Sequence, residues 1–237
     1  MVCRIRHTRP TRRGAAGLAL VIALALALAG ALTACGHHHQ TEAERTAAAR
    51  RAQAEQAARD AGLPVEVQRF FGRAAAAVGQ AFTVVYRGPA SGTTTLTQQP
   101  PERRVDVTGD GTESVLRLRT GTFACRLPTG ARGWSCQRRP AGGGDPDVGV
   151  FSPDQVSATV AALASAKGAY RFATATRRLA GTTATCLTAT KPGAVADELC
   201  IAPTGAILRI HTARQSVDAL RYHPGADARA LRLPSPA

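Results

Sequence analysis

The sequence predicts an α+β fold, an antiparallel sheet packed on two helices and carried behind an export signal and a polar tether. Three observations predict it. Apolar residues recur at helical spacing in two stretches of the exported part, residues 65–78 and 153–165. Between and after those stretches the period is two, in short runs punctuated by Gly and Pro. Four cysteines bracket two of the turn signals that separate those runs.

The chain opens with Arg4, Arg6, Arg9, Arg12 and Arg13, followed by an almost unbroken Ala/Leu/Val/Ile/Gly run from Ala15 to Ala31. A basic n-region and an apolar run make a secretory signal. The run is also near the length of a membrane span, so an uncleaved anchor is the rival reading. Leu32-Thr33-Ala34-Cys35 decides for the first, because it resembles the lipobox of bacterial lipoproteins. That resemblance implies a lipid (palmitate-type acyl chains) on the Cys35 sulfur and cleavage after residue 34. One acyl chain holds a protein reversibly and two or three hold it stably. The expectation is a signal peptide over 1–34 and a mature protein lipid-anchored on the extracytoplasmic face of the cell membrane.

Of the 237 residues, 30 are basic and 16 acidic, for a net charge of +14. Losing the five leader arginines brings the mature chain to +9. Only Lys167 and Lys191 are lysines, and the arginines are scattered rather than interleaved with aromatics. That pattern argues against a nucleic-acid partner and suits anionic lipid headgroups or a plain solvated surface.

Cys3 leaves with the leader and Cys35 is the lipidation site, so Cys125, Cys136, Cys186 and Cys200 remain. An even number in an oxidising compartment predicts disulfides. Four cysteines allow three pairings. Cys125–Cys136 and Cys186–Cys200 are favoured, because each pair brackets a turn signal between strand-like runs. The spacings do not match a structural zinc site, so no metal is expected.

Residues 35–63 read as a polar, Ala-rich tether, mobile or helical, with no wide apolar stripe to drive packing. His37-His38-His39 follows the lipid site without a fixed fourth metal ligand, and linker composition accounts for it. The folded domain is expected over 64–224. Pro64 suits a helix start, Val67, Phe70, Phe71, Ala74 and Val78 share a face, and Gly79 stops it. Phe82, Val84 and Tyr86 then alternate with polar partners, and Thr93–Gln98 is β-branched between Gly92 and Pro100-Pro101. Val105 and Val107 share a face of the next run, and Gly109-Asp110-Gly111 turns the chain into Glu113–Arg119, with Leu116 and Leu118 on one side. Phe123–Leu127 and Gly133–Arg138 complete an antiparallel meander.

Residues 140–149 form a Gly/Pro/Asp loop. Ser152-Pro153-Asp154-Gln155 then starts a helix with a cap, a proline at its first position and a capping-box Gln. Val156, Val160, Leu163 and Ala164 face inward, and Lys167-Gly168 ends it. Strand runs follow at 170–176 (Tyr170 and Phe172 on one face), 182–190, 197–202, 206–212 (Leu208 and Ile210) and 217–222. The tail, 225–237, is expected to be disordered.

The order of elements, with Arg178-Leu179-Ala180-Gly181 through Cys186, resembles the LolA-like lipoprotein carriers and the LppX/LprG-like lipoproteins of actinobacterial envelopes. The resemblance covers about residues 65–224 and is one of pattern. It implies a curved antiparallel sheet, an incomplete barrel, wrapped around helices with an apolar cavity for acyl chains. No ligand residue of that family transfers to a matching position here.

Catalytic signatures are lacking in the sequence: there is no G-x-S-x-G, S-x-x-K, Walker loop, H-E-x-x-H or G-x-G-x-x-G. No cofactor and no enzymatic activity are expected. His211 and His223 read as surface histidines, Asp106, Asp110 and Glu113 as hairpin residues lacking EF-hand spacing, and Asp145 and Asp147 as loop solvation. Trp134 beside Cys136 suits packing on a disulfide. The apolar face of the sheet nominates Phe82, Val84, Tyr86, Val105, Val107, Leu116, Leu118, Phe172, Leu208 and Ile210 as ligand-lining. Alanine-rich helices over that face leave two outcomes, close packing or a void for a ligand. The chain is thus expected to be a binding or carrier module for an apolar ligand such as a lipid, or a structural or interaction lipoprotein with none.

Overall fold

The computed structural model describes residues 41–88, 91–140, 149–166 and 168–235. Residues from Gln40 onward form one compact unit. Its elements are α1 (Glu42–Asp60), α2 (Val65–Ala76) with a 3-10 turn over Ala77–Gly79, β1 (Phe82–Arg87), β2 (Thr93–Gln99), β3 (Glu102–Gly109), β4 (Gly111–Leu118), β5 (Gly121–Pro128) and β6 (Ser135–Arg138). Then come α3 (Pro153–Ser165), β7 (Arg171–Leu179), β8 (Thr182–Thr190), β9 (Asp197–Ile201), β10 (Ile207–His211) and β11 (Ser216–His223). The described residues form an α+β fold, with an open antiparallel sheet and three α-helices rather than two.

The eleven strands make one sheet in the order β6-β5-β4-β3-β2-β1-β11-β10-β9-β8-β7. Two consecutive meanders are joined by the last strand returning to the first, and the outer strands β6 and β7 leave the sheet unclosed. Bulges bend it near that seam, one in the β1–β11 pairing at Val85/Tyr86 and one in the β9–β10 pairing at Ile207/Arg209. The period-two runs become strands because each puts one apolar set into the core: Phe82, Val84 and Tyr86 of β1 are all buried.

The two pairings of cysteines form as hairpin cross-links. Cys125 lies directly opposite Cys136, and Cys186 directly opposite Cys200. Each bond ties neighbouring strands whose Cα atoms are 4.0 and 3.9 Å apart.

Two apolar cores result. The first gathers Phe82, Val84, Tyr86, Leu96, Val105 and Leu208 around the Cys186–Cys200 bond. The second packs Phe70, Phe71 and Val67 of α2 and Val156 and Val160 of α3 onto Leu187 and Ile201 of the sheet. Side chains lock helix to sheet: Arg73 Nη1 donates to Thr185 Oγ1 at 2.7 Å, and the buried Gln98 amide donates to the carbonyls of Ala77 and Gln80 at 2.7 and 2.9 Å. Gly205, at φ +85°, lets the β9–β10 turn press on α2, since a Cβ there would collide with the Arg73 carbonyl oxygen.

Two segments differ from expectation. The stretch expected to be a tether forms α1 and joins the second core. Ala54 and Ala58 are buried there, and Ala47 is buried further along the same helix. These residues are small, so they give no apolar stripe by size, yet they let α1 approach α2 closely. A capping box starts the helix, Thr41 Oγ1 accepting from Glu44 N while the Glu44 carboxylate accepts from Thr41 N. The tail expected to be disordered is seated as far as Leu231, which is buried, and Ala230 O accepts from Arg104 Nη1 at 3.1 Å.

Candidate functional site

Where the two cores approach each other, a half-open cleft of about 720 Å³ remains between α3 and the sheet. Its walls come from both cores: Tyr86 and Val150 belong to the first, Phe71 and Leu187 to the second. Phe151 and Leu163 close the helical side, and Leu199, Ile210 and Val217 the sheet side. Polar groups gather toward the ends of the strands: Arg87, Asp197, Thr212 and Gln215. Thr94, Gln155, Thr159 and Glu198 add polar groups along the walls. Apolar walls with a few polar groups suit a chiefly apolar ligand, and the volume lies in the range of small-molecule sites.

Local sequence explains the shape. On α3, Val156 and Val160 point into the second core, while Gln155, Ala158 and Thr159 face the cleft. The capping box read from Ser152 and Gln155 forms: Ser152 Oγ accepts from Gln155 N, and Gln155 Oε1 accepts from Ser152 N at 2.9 Å. Just before it, Gly149 O accepts from Ile207 N at 2.9 Å, which fixes the start of α3 to the base of β10. Gly149 has φ +75°, and a Cβ there would sit 2.6 Å from Leu96 Cδ2 and 2.7 Å from the Tyr86 hydroxyl. The Tyr86 hydroxyl donates to Ile207 O at 2.6 Å, a chord from β1 to β10 that skips the strand between them. Burial pushes its phenol well above the ordinary range, and the nearby Arg103 charge only partly offsets this.

Of the ten residues nominated as ligand-lining, Tyr86 and Ile210 line the cleft. Phe82, Val84, Val105 and Leu208 are buried in the first core, with Val107 packed against it. Leu116 is fully buried, and Phe172 packs against the second core. Leu118 ends β4, at the partner position of Gly121. The other eight lie away from the cleft for a physical reason: alternation marks residues that meet other side chains, and a hollow is walled where they do not. On α3 the cleft residues missed are the small or polar Gln155, Ala158 and Thr159, together with Leu163, and Leu187 and Leu199 come from β8 and β9.

The other titratable clusters are structural. Across β7, β9, β10 and β11 runs a charge ladder: Arg177 to Glu198 at 3.2 Å, Glu198 to Arg209 at 3.5 Å, Arg209 to Asp218 at 2.6 Å and Asp218 to His211 at 3.0 Å. Burial raises the Asp218 carboxyl, but hydrogen bonds from Arg209 and His211 outweigh it and hold the group below its usual value. His211 is thus half-buried and engaged with Asp218, not free on the surface. Glu198 Oε1 lies 3.2 Å from Cys200 Sγ, and with Cys186 these atoms form a trio of metal-ligand type. The disulfide takes up both sulfurs, and no thiolate is left to bind an ion. Asp106 is held by Ser114 and by Arg104 at 2.7 Å, and Glu113 faces Arg126 at 3.9 Å, as hairpin residues do. The Trp134 ring carries the Arg104 guanidinium, 5.5 Å from its centroid. Cys35, His37–His39, Asp145, Asp147 and Lys167 lie outside the described residues. No helix among the described residues is long and apolar enough to cross a membrane.

No protein-family model matches the chain, and no curated protein matches it. Among solved structures it is similar to the crystal structure of MucB, at 18% identity and a TM-score of 0.44 over 72% of this chain and 63% of that one. The matched part therefore spans less than two thirds of MucB. It is also similar to an uncharacterized conserved protein from Thermus thermophilus, at 12% identity and a TM-score of 0.36, over 71% of this chain and 94% of that one.

Proposed function

We propose that this is an extracytoplasmic lipoprotein, anchored through Cys35, whose folded unit is a non-enzymatic binding or carrier module for an apolar ligand such as a lipid. The cleft between α3 and the sheet carries this reading, because its walls are chiefly apolar, with a few polar groups placed among them. The two disulfides support an oxidising compartment. The leader, the apolar run and Leu32-Thr33-Ala34-Cys35 support export with lipidation.

The test uses residues 40–237, the compact unit that holds both cores and both disulfides. Prepared without detergent, it is expected to carry lipid visible by native mass spectrometry and to bind a fluorescent fatty acid. Ala158 lines the cleft from an exposed position, so Ala158→Trp fills space without touching either core. It should weaken fatty-acid binding at least tenfold. A ligand-free protein with no fatty-acid binding would leave an envelope lipoprotein with no small ligand, and binding that ignores the tryptophan would remove the cleft as the site. Anchoring is tested separately: Cys35→Ser should abolish incorporation of labelled palmitate, and continued labelling refutes it.

A further inference from the structure

The strand directions place the β1–β2, β8–β9 and β10–β11 turns at one end of the sheet, where three exposed residues of the cleft lining, Arg87, Thr212 and Gln215, stand. Arg87, Asp197, Thr212 and Gln215 all line the cleft and all lie beside those turns. The β8–β9 turn reads Lys191-Pro192-Gly193-Ala194-Val195-Ala196 and contains no acidic residue. Val195 is 81% exposed, more than the other large apolar residues left exposed among the described residues. A turn tip in water is ordinarily polar. One exposed valine by itself is unremarkable, but this tip stands on a basic rim. Arg87, Lys191 and Arg214 are exposed there, and Arg171 is exposed opposite Thr190 at the base of the same turn. Of the acids beside them, Asp197 and Glu198 line the cleft, and Glu198 is paired with Arg177 and Arg209.

We propose that this end of the domain docks on an anionic lipid bilayer. Val195 enters the headgroup layer, Arg87, Arg171, Lys191 and Arg214 meet lipid phosphates, and the cleft opens toward the acyl chains. The charge of the rim, the apolar tip and exposed residues of the cleft lining coincide there, so an acyl ligand can pass between bilayer and cleft without crossing bulk water. The proposal rests on the cleft being a lipid site. It adds a surface, the side of the molecule it occupies and the lipid charge it requires. Each basic residue near an anionic surface contributes about fivefold to partitioning, and salt weakens the attraction.

The experiment is co-sedimentation of residues 40–237 with vesicles of phosphatidylglycerol and phosphatidylcholine, against vesicles of phosphatidylcholine alone. Binding is expected to the first and not the second, and to fall with added salt. Val195→Asp should weaken it at least fivefold, and Lys191→Glu with Arg214→Glu at least tenfold. Arg139→Glu with Arg229→Glu, an equal charge reversal on exposed residues at the opposite end, should change it less than twofold. Absence of binding, indifference to Val195→Asp, or equal loss from both double reversals overturns the proposal. Fatty-acid binding in vesicle-free solution separates the two readings. A protein that binds fatty acid but no vesicle keeps its cleft function and loses the docking surface. One that binds vesicles but no fatty acid does the reverse.

Discussion

Replacing Tyr86 with phenylalanine removes one hydroxyl, and the structure specifies what that hydroxyl does. It is buried and donates to Ile207 O at 2.6 Å across the curve of the sheet. Phenylalanine keeps the ring packing and leaves that carbonyl without the donor, which costs about 1–3 kcal/mol at neutral pH. For a domain of this size each kcal/mol lowers the melting temperature by roughly 2–4 °C. The pH dependence is the more discriminating readout. In the unfolded chain a tyrosine ionises near pH 10, whereas burial holds the Tyr86 phenol neutral well above that. Above pH 10 the unfolded state therefore binds fewer protons than the folded one. Stability falls by about 1.4 kcal/mol per pH unit, some 2 kcal/mol by about pH 11.5. The Tyr86→Phe protein lacks this loss. Tyr222, also raised by burial, is common to both proteins and cancels in the difference. Urea unfolding at several pH values should show a gap of about 1–3 kcal/mol at pH 7 that closes or reverses by about pH 11.5. A gap that stays constant over that range would refute the desolvated phenol.

Gly149→Ala is expected to destabilise by about 2–4 kcal/mol, because it combines a left-handed backbone with a Cβ driven against Leu96 and Tyr86; a loss under about 1 kcal/mol in denaturant melts would show that the start of α3 can give way. The two disulfides should differ in access. Cys136 is exposed, whereas Cys186 and Cys200 are fully buried, so a mild reductant followed by alkylation and peptide mapping should label Cys125 and Cys136 first and reach the other pair only with denaturant; simultaneous labelling would contradict the buried placement.

Strands and cross-links were legible because their signals are local. A period of two fixes which residues of β1 face inward, and a turn between two cysteines sets their register. Ser152-Pro153-Asp154-Gln155 marked the start of α3 for the same reason: every atom of that cap lies within four residues. The signal for α1 was equally local, since Thr41-Glu42-Ala43-Glu44 is a capping box of the same kind. Its packing was hidden because Ala47, Ala54 and Ala58 carry too little apolar surface to stand out as a stripe. The seat of Leu231 and the walls of the cleft were hidden differently. Both depend on contacts between segments more than a hundred residues apart, such as Arg104 with Ala230 and Tyr86 with Ile207. No local period encodes them.

The hollow persists because two constraints oppose its collapse. Interiors normally close over empty space, since unfilled volume forfeits dispersion contacts. Here α3 cannot move onto the sheet without losing what holds it. Its N-terminal end is bound to β10 through Gly149, with Val150 buried in the first core, and its inner valines are seated in the second. Phe70 and Phe71 prop that second core, their rings edge to face with centroids 5.7 Å apart. Between those supports the helix presents Gln155, Ala158, Thr159 and Leu163 to the cleft. Enlarging Ala158 would fill the space at little cost to the fold. A cleft held by these supports spares the ordering cost of binding, and on the helical side it places the readout of function in residues that contribute little to stability.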